Sequence, residues 1–156
     1  MKRTVLLALL IFSVLFLLNF LSGGEYQERS SSKKIIHMTD KPGNTPFSPA
    51  ILIDDTLFIS GQLSVNYETG KFEGETMAEQ AERIIKNIEI LCKKAGMDLS
   101  HVVETTVFIS DFNEFREFNS VFVKMFPTDP PTRATVQVAK LAFDAKIEIS
   151  AIAIKY

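Results

Sequence analysis

Residues 147–154 read IEISAIAI, and a strand of that sequence has no face suited to water. Side chains alternate across a strand, so Ile147, Ile149, Ala151 and Ala153 point one way and Glu148, Ser150, Ile152 and Ile154 the other. A solvated face would carry polar residues at alternate positions. Here both faces are largely apolar, so both need cover. Helices can supply one layer. An apolar second face without helices of its own implies that other copies of the chain pack against it.

The chain supplies two such helices. In GETMAEQAERIIKNIEILCKKAG, Ala78, Ala81, Ile84, Ile85, Ile88, Leu91, Cys92 and Ala95 recur at three- and four-residue spacing. Glu75 and Glu79 lie early and Lys93 and Lys94 late, matching the helix dipole, and Gly96 is a natural stop. Asp111 is a candidate cap for a second helix with the stripe Phe112, Phe115, Phe118, Phe122, Met125 and Phe126. KIIHM reads as a first strand, AILIDDTLFISGQL as a hairpin turning at Asp54-Asp55, and HVVETTVFIS as a β-branched strand. The predicted order is β, β, β, α, β, α, β, β. This pattern predicts an α+β, two-layer sandwich with both helices on one face of a single sheet.

The first 24 residues stand outside that domain. Lys2 and Arg3 precede an apolar run over residues 4–21, and SGGEYQERSSSKK then turns polar. The expectation is a signal peptide cleaved after Gly24 or an uncleaved N-terminal membrane anchor, and in either case an exported protein. Residues 25–33 read as a linker, and residues 34–156 as the domain. Without the leader the net charge falls from −2 to −4, because Lys2 and Arg3 are its only charges. An acidic domain lacks the basic footprint of a nucleic-acid binder. Cys92 is the only cysteine, so no intrachain disulfide forms. The chain has no CxxC or HExxH motif, which argues against metal chemistry.

Two charges lie in the apolar closing segment, PPTRATVQVAKLAFDAKIEISAIAIKY. Arg133 reads either as a strand-end arginine in a surface ion pair or as a fork for a substrate carboxylate. Glu148 reads either as a polar interface residue or as a carboxylate held near neutrality for proton transfer. If the last two strands pair as a hairpin, KLAFDA puts Gln137 opposite Glu148. Arg133 then lies on the same face, roughly 13 Å further along. A site spanning a contact between subunits would remove that separation.

SGQLSVNYETGKF, VVETTVFISDFNEFREFNSVF and PTRATVQVAKLAFDAKIEISAIA resemble the reactive intermediate deaminase family, RidA/YjgF, across residues 34–156. The resemblance implies a chorismate-mutase-like fold with one mixed sheet, a homotrimer with clefts between subunits, and no cofactor. It implies hydrolysis of enamines and imines, of the 2-aminoacrylate and 2-iminopropionate type, to 2-oxo acids and ammonia. Matched position by position, it places the catalytic pair on Arg133 and Glu148 and substrate-binding positions on Ser60, Gly61, Asn119, Thr135 and Phe47. Phe47 replaces a family tyrosine, Thr135 a frequent cysteine, and Ala142 the proline of a usual Leu-Pro pair. Read as residues alone, Ser60 and Gly61 can be a strand-end turn, and Asn119 can serve only nearby backbone.

The chemistry is coherent with that assignment, because imine hydrolysis needs a carboxylate anchor, a group that activates water and a polar pocket for the leaving nitrogen. Two other readings stand beside it. A non-catalytic binder of small carboxylates would keep Arg133 and need no proton transfer at Glu148. An RNA-directed translation inhibitor or endoribonuclease fits poorly with an acidic domain that has only two separated histidines, His37 and His101.

Overall fold

The computed structural model describes residues 32–40 and 45–156. The expected leader and residues 25–31 of the linker lie outside the described residues. Among the described residues no helix is long and apolar enough to cross a membrane.

Strands β1 (Lys33–Ile36), β2 (Ala50–Ile53) and β3 (Thr56–Gln62) form an antiparallel meander. Asp54 takes the left-handed backbone conformation at the β2–β3 turn, as aspartate does readily. A small hairpin of β4 (Val65–Asn66) and β5 (Lys71–Phe72) follows as a separate two-stranded sheet. Two-residue strands carry no readable alternation, which is why the sequence pattern passes over them.

Helix α1 (Met77–Lys94) buries Ala81, Ile84, Ile85, Ile88, Leu91 and Cys92, the face expected from spacing. Its start is set by a capping box. Thr76 Oγ1 accepts from Glu79 N, while Glu79 Oε2 accepts from the backbone N–H of Thr76 and of Glu75. Those backbone donors hold the Glu79 carboxyl below its ordinary range. Gly96 adopts φ 77° just past the last turn, completing the stop.

Strand β6 (Val102–Ile109) leads into α2 (Phe115–Met125), and β7 (Thr132–Gln137) returns to pair parallel with β6. Asp111 does cap, accepting from Asn113 N, but it caps a 3-10 turn over Phe112–Glu114 that runs into α2. The tighter turn takes Phe112 off the buried stripe, and it is half exposed while Phe118, Phe122 and Phe126 are buried.

Strand β8 (Ile147–Ile154) enters the middle of the sheet, whose order is β1-β2-β3-β8-β6-β7. The sheet is mixed, because only the β6–β7 pair is parallel. The closing strands therefore do not form a hairpin, and β6 lies between them. Gln137 does not face Glu148; the level of Glu148 runs through Phe108 to Val136. Arg133 is level with Thr105 and Ala151, both turned to the helices and almost wholly buried. Arg133 and Glu148 consequently point to opposite faces, which corrects their expected placement on one face. The physical cause is the crossover: a strand–helix–strand unit returns its second strand parallel beside the first.

Ile147, Ile149, Ala151 and Ala153 of β8 are buried beneath the helical layer, with Leu57 and Ile59 of β3 and Val107 and Ile109 of β6. The other face carries Ile35, Ile51, Phe58, Phe108, Val136 and Ile152, with no helix above it among the described residues. Thr76→Ala removes one half of the capping box and is expected to lower stability by about 1 kcal/mol. Urea unfolding followed by far-ultraviolet dichroism measures the change. An unaltered midpoint would mean that the α1 start is held by tertiary packing alone.

Candidate active site

The expected site residues fall into two groups. On the helix side of edge strand β7, the Arg133 guanidinium lies against the aromatic wall of α2, 5.7, 5.1 and 4.5 Å from the ring centroids of Phe115, Phe118 and Phe122. Its Nη2 donates to Asn119 Oδ1 at 3.0 Å. Among the described residues it has no carboxylate partner. Burial without a counter-charge lowers its pKa. The ring faces attract the cation but supply no hydrogen-bond acceptors. An unpaired guanidinium fork held in this way is suited to a carboxylate.

Thr135 lies two residues along β7, on the same side as Arg133, and its Oγ1 is buried with no hydrogen-bond partner among the described residues. A cleft of about 430 Å³ opens beside Arg133 and Asn119, walled by Phe122, Phe126 and the prolines of the α2–β7 loop. The phenylalanines of α2 thus serve the arginine as well as the core. The periodicity that places them reads only as a packing stripe, and nothing in the sequence alone separates the two uses.

The second group lies on the open face of the sheet. Between Ile59 and Gln62 the register of β3 against β8 slips, so that Ser60 and Gly61 together oppose Ser150. Gly61 sits directly against Glu148. A Cβ built on Gly61 would lie 1.9 Å from Glu148 Oε1, so only glycine leaves the carboxylate its place. No described group hydrogen-bonds to that carboxylate, and burial raises its pKa.

Ser60 Oγ donates to the carbonyls of Ser48 and Pro49 at 2.7 and 2.9 Å. Its proton is therefore committed to holding the loop that carries Phe47, and only its lone pairs remain for a ligand. Phe47 is 60% exposed on that loop. One copy of the chain thus brings together Arg133, Asn119 and Thr135, and separately Glu148, Gly61, Ser60 and Phe47. It does not bring the two groups together. Three residues along the strands and two strands across separate them by roughly 10 Å in each direction, in addition to the opposite facing. Among the described residues no group of His, Cys, Asp and Glu is placed to hold a metal ion.

A family model described as endoribonuclease L-PSP matches residues 38–155. The Reactive Intermediate Deaminase A, chloroplastic, of Arabidopsis thaliana is 41% identical over 126 residues, covering 80% of this chain and 67% of that protein. The 2-iminobutanoate/2-iminopropanoate deaminase of Homo sapiens is 37% identical over 124 residues, covering 79% and 90%. The crystal structure of E. coli TdcF with bound serine superposes with a TM-score of 0.73 at 32% identity, covering 79% of this chain and 99% of that one.

These findings correct the expectation of export. The Arabidopsis relative is by its name a chloroplastic protein, and residues 4–21 themselves lie outside the described residues. The mixed sheet with its two helices, the match over most of the domain and the names of its relatives agree with one another. This chain belongs to the endoribonuclease L-PSP family, the reactive intermediate deaminases or RidA/YjgF proteins that its sequence resembles.

Proposed function

We propose that this protein hydrolyses reactive 2-imino acids and their enamine tautomers to 2-oxo acids and ammonia. The proposed site forms where two copies of the chain meet in a homotrimer. The observation that carries the proposal is the presence of a guanidinium fork without a carboxylate partner and of a partly buried, unbonded carboxylate, each lacking a counter-charge among the described residues. The deaminase names of the relatives and the serine bound in TdcF support a small ligand with a carboxylate. The uncovered apolar sheet face supports the assembly.

In this reading Arg133 clamps the substrate carboxylate with two parallel hydrogen bonds, held in place by Asn119 and the α2 rings. The Thr135 hydroxyl is a further donor beside it. Glu148 of a second copy removes a proton from water as the oxygen attacks C2 of the iminium. The product of that step is the 2-amino-2-hydroxy acid. The protonated carboxyl then gives its proton to the nitrogen, the C–N bond breaks with its electron pair leaving on nitrogen, and the C2 hydroxyl proton passes to the departing ammonia as the carbonyl forms, so that ammonium is released. One water is consumed, and the glutamate returns to its starting state.

Arg133→Ala is expected to lose binding of 2-oxobutyrate and turnover together, at a cost of about 2–5 kcal/mol. Arg133→Lys should recover little, because an ammonium lacks the two-pronged geometry. Glu148→Gln should keep oxo-acid binding and lose roughly 10²–10⁴-fold in ammonia release from imine generated in situ. Because the base must be ionised and its pKa is raised, turnover should fall with decreasing pH at a midpoint above the ordinary glutamate range. Stability runs the other way: the penalty for the buried charge is absent below the ordinary range and appears as pH rises through the folded-state pKa. Glu148→Gln should therefore unfold later than the parent at neutral pH and with no advantage in acid. Parent-level turnover in Glu148→Gln would make the glutamate structural and leave a carboxylate binder. Normal binding in Arg133→Ala would move the site elsewhere.

Gly61→Ala tests the close approach itself. The atom its new Cβ meets is the movable end of Glu148, not backbone, so the fold should survive while the carboxylate is displaced. A thermal midpoint near the parent value with turnover reduced on the order of 10²-fold is expected. Full activity would show that the carboxylate works equally well away from Gly61.

A further inference from the structure

Behind the Ser60–Gly61 bulge lies a side chain that neither the core nor the proposed chemistry explains. Gln62 is 1% exposed. Its Nε2 donates to the Ser60 carbonyl at 2.9 Å, and its Oε1 accepts from the Tyr67 hydroxyl at 3.3 Å. A carbonyl needs a donor and a phenol needs an acceptor. A carboxamide is the uncharged side chain that meets both demands from one position. An apolar side chain of the same length would fill the space without the cost of burying an amide.

The surrounding segment is held from behind in the same manner. Asn87 of α1 reaches across to donate from Nδ2 to the carbonyls of Leu63 and Val65 at 3.2 and 2.9 Å. Ser64 Oγ donates to the Glu73 carbonyl. Residues 60–65 are thus held by side chains as well as by backbone pairing, and the held segment includes the glycine against which Glu148 rests. A bulge of two residues against one can relax into the regular register by moving its unpaired residue. The Gln62 bond to the Ser60 carbonyl opposes that movement.

We propose that Gln62 is a positioning residue: its buried amide pins the Ser60–Gly61 bulge and so sets where the Glu148 carboxylate lies. It acts through the backbone and touches no substrate. The inference rests on the reading of Glu148 as the proton carrier. The charged groups around that carboxylate are few. Lys146 on β8 is engaged with Glu114, and Glu104 on β6 lies at the level of Ile152 and accepts from Thr106. The stretch of β3 beside it, Ser60 to Gln62, carries no charge. Within its own copy, burial beside the bulge is therefore the control on its titration that the described residues supply, and loosening the bulge hydrates it.

The test uses the full chain with ¹³C-carboxyl-labelled glutamate, the Glu148 resonance being identified by its loss in Glu148→Gln. Gln62→Met keeps the length and removes both hydrogen bonds. Tyr67→Phe removes only the bond that orients the amide. In Gln62→Met the Glu148 carboxyl should titrate lower than in the parent, toward the ordinary range. Its kcat should drop on the order of 10²-fold, with the acid limb of the pH profile moving in the same direction and KM changing less. Tyr67→Phe should move both readouts the same way by a smaller amount. Unchanged Glu148 titration and kcat in a folded Gln62→Met would reduce Gln62 to a core filler and overturn the proposal. Should Gln62→Met fail to fold, Tyr67→Phe decides by the same two readouts. If the parent itself releases no ammonia from imines, the functional reading fails, and the carboxyl titration alone still judges the role of Gln62.

Discussion

The whole domain depends on β8 running through the middle of a sheet that, among the described residues, has one layer of helices. Its inward residues, Ile147, Ile149, Ala151 and Ala153, are buried under the helical layer with the inward faces of β3 and β6. At about 25 cal/mol per Å² of apolar surface, these side chains and the α1 stripe from Ala81 to Cys92 supply the main stabilisation of the chain. The same strand turns Glu148, Ser150 and Ile152 to the opposite face, where the described residues offer no covering layer. Packing that satisfies the inward face thus creates the demand for partners on the outward one. The proposed site lies where that demand is met.

Electrostatics gives the two halves of the site the same character. Arg133 is partly desolvated by the rings of α2 and its pKa falls; Glu148 is partly desolvated beside Gly61 and its pKa rises. Both shifts come from burial, and neither group has an opposite charge beside it among the described residues. Each half is therefore costly to keep until something of complementary charge arrives. In the proposed function that complement is the substrate carboxylate for Arg133 and the iminium for Glu148. A direct Arg133–Glu148 pair within one copy would have offset both costs and left neither group available.

The elements with strong periodicity were readable from the residues. The α1 face follows from Ala81, Ile84, Ile85, Ile88 and Leu91, and the β2–β3 hairpin from the Asp54-Asp55 turn. The position of β7 was not read correctly, because the link KLAFDA is short enough to suggest a hairpin. The decisive feature is instead the intervening α2 crossover, which makes β7 a parallel neighbour of β6. That one difference in topology moves Arg133 to the face opposite Glu148. The site residues themselves came from likeness to a family, since an arginine at a strand mouth and a glutamate in an apolar strand each have an ordinary structural reading. The fit of Gly61 to Glu148 and of Arg133 to Phe118 and Phe122 became visible only in three dimensions. Gln62 gave no signal at all, because a glutamine after a glycine looks like any strand end.

The central claim is that each working site takes Arg133 from one copy and Glu148 from another, and subunit mixing tests it most directly. Arg133→Ala and Glu148→Gln proteins, each inactive alone, are unfolded together, refolded as a mixture, and assayed for ammonia release from imine made in situ. With random assembly, about a quarter of the contacts between copies would join an intact Arg133 to an intact Glu148. The mixture should therefore recover about that fraction of parental activity, while either protein refolded alone stays inactive. A mixture no more active than its components would contradict a shared site.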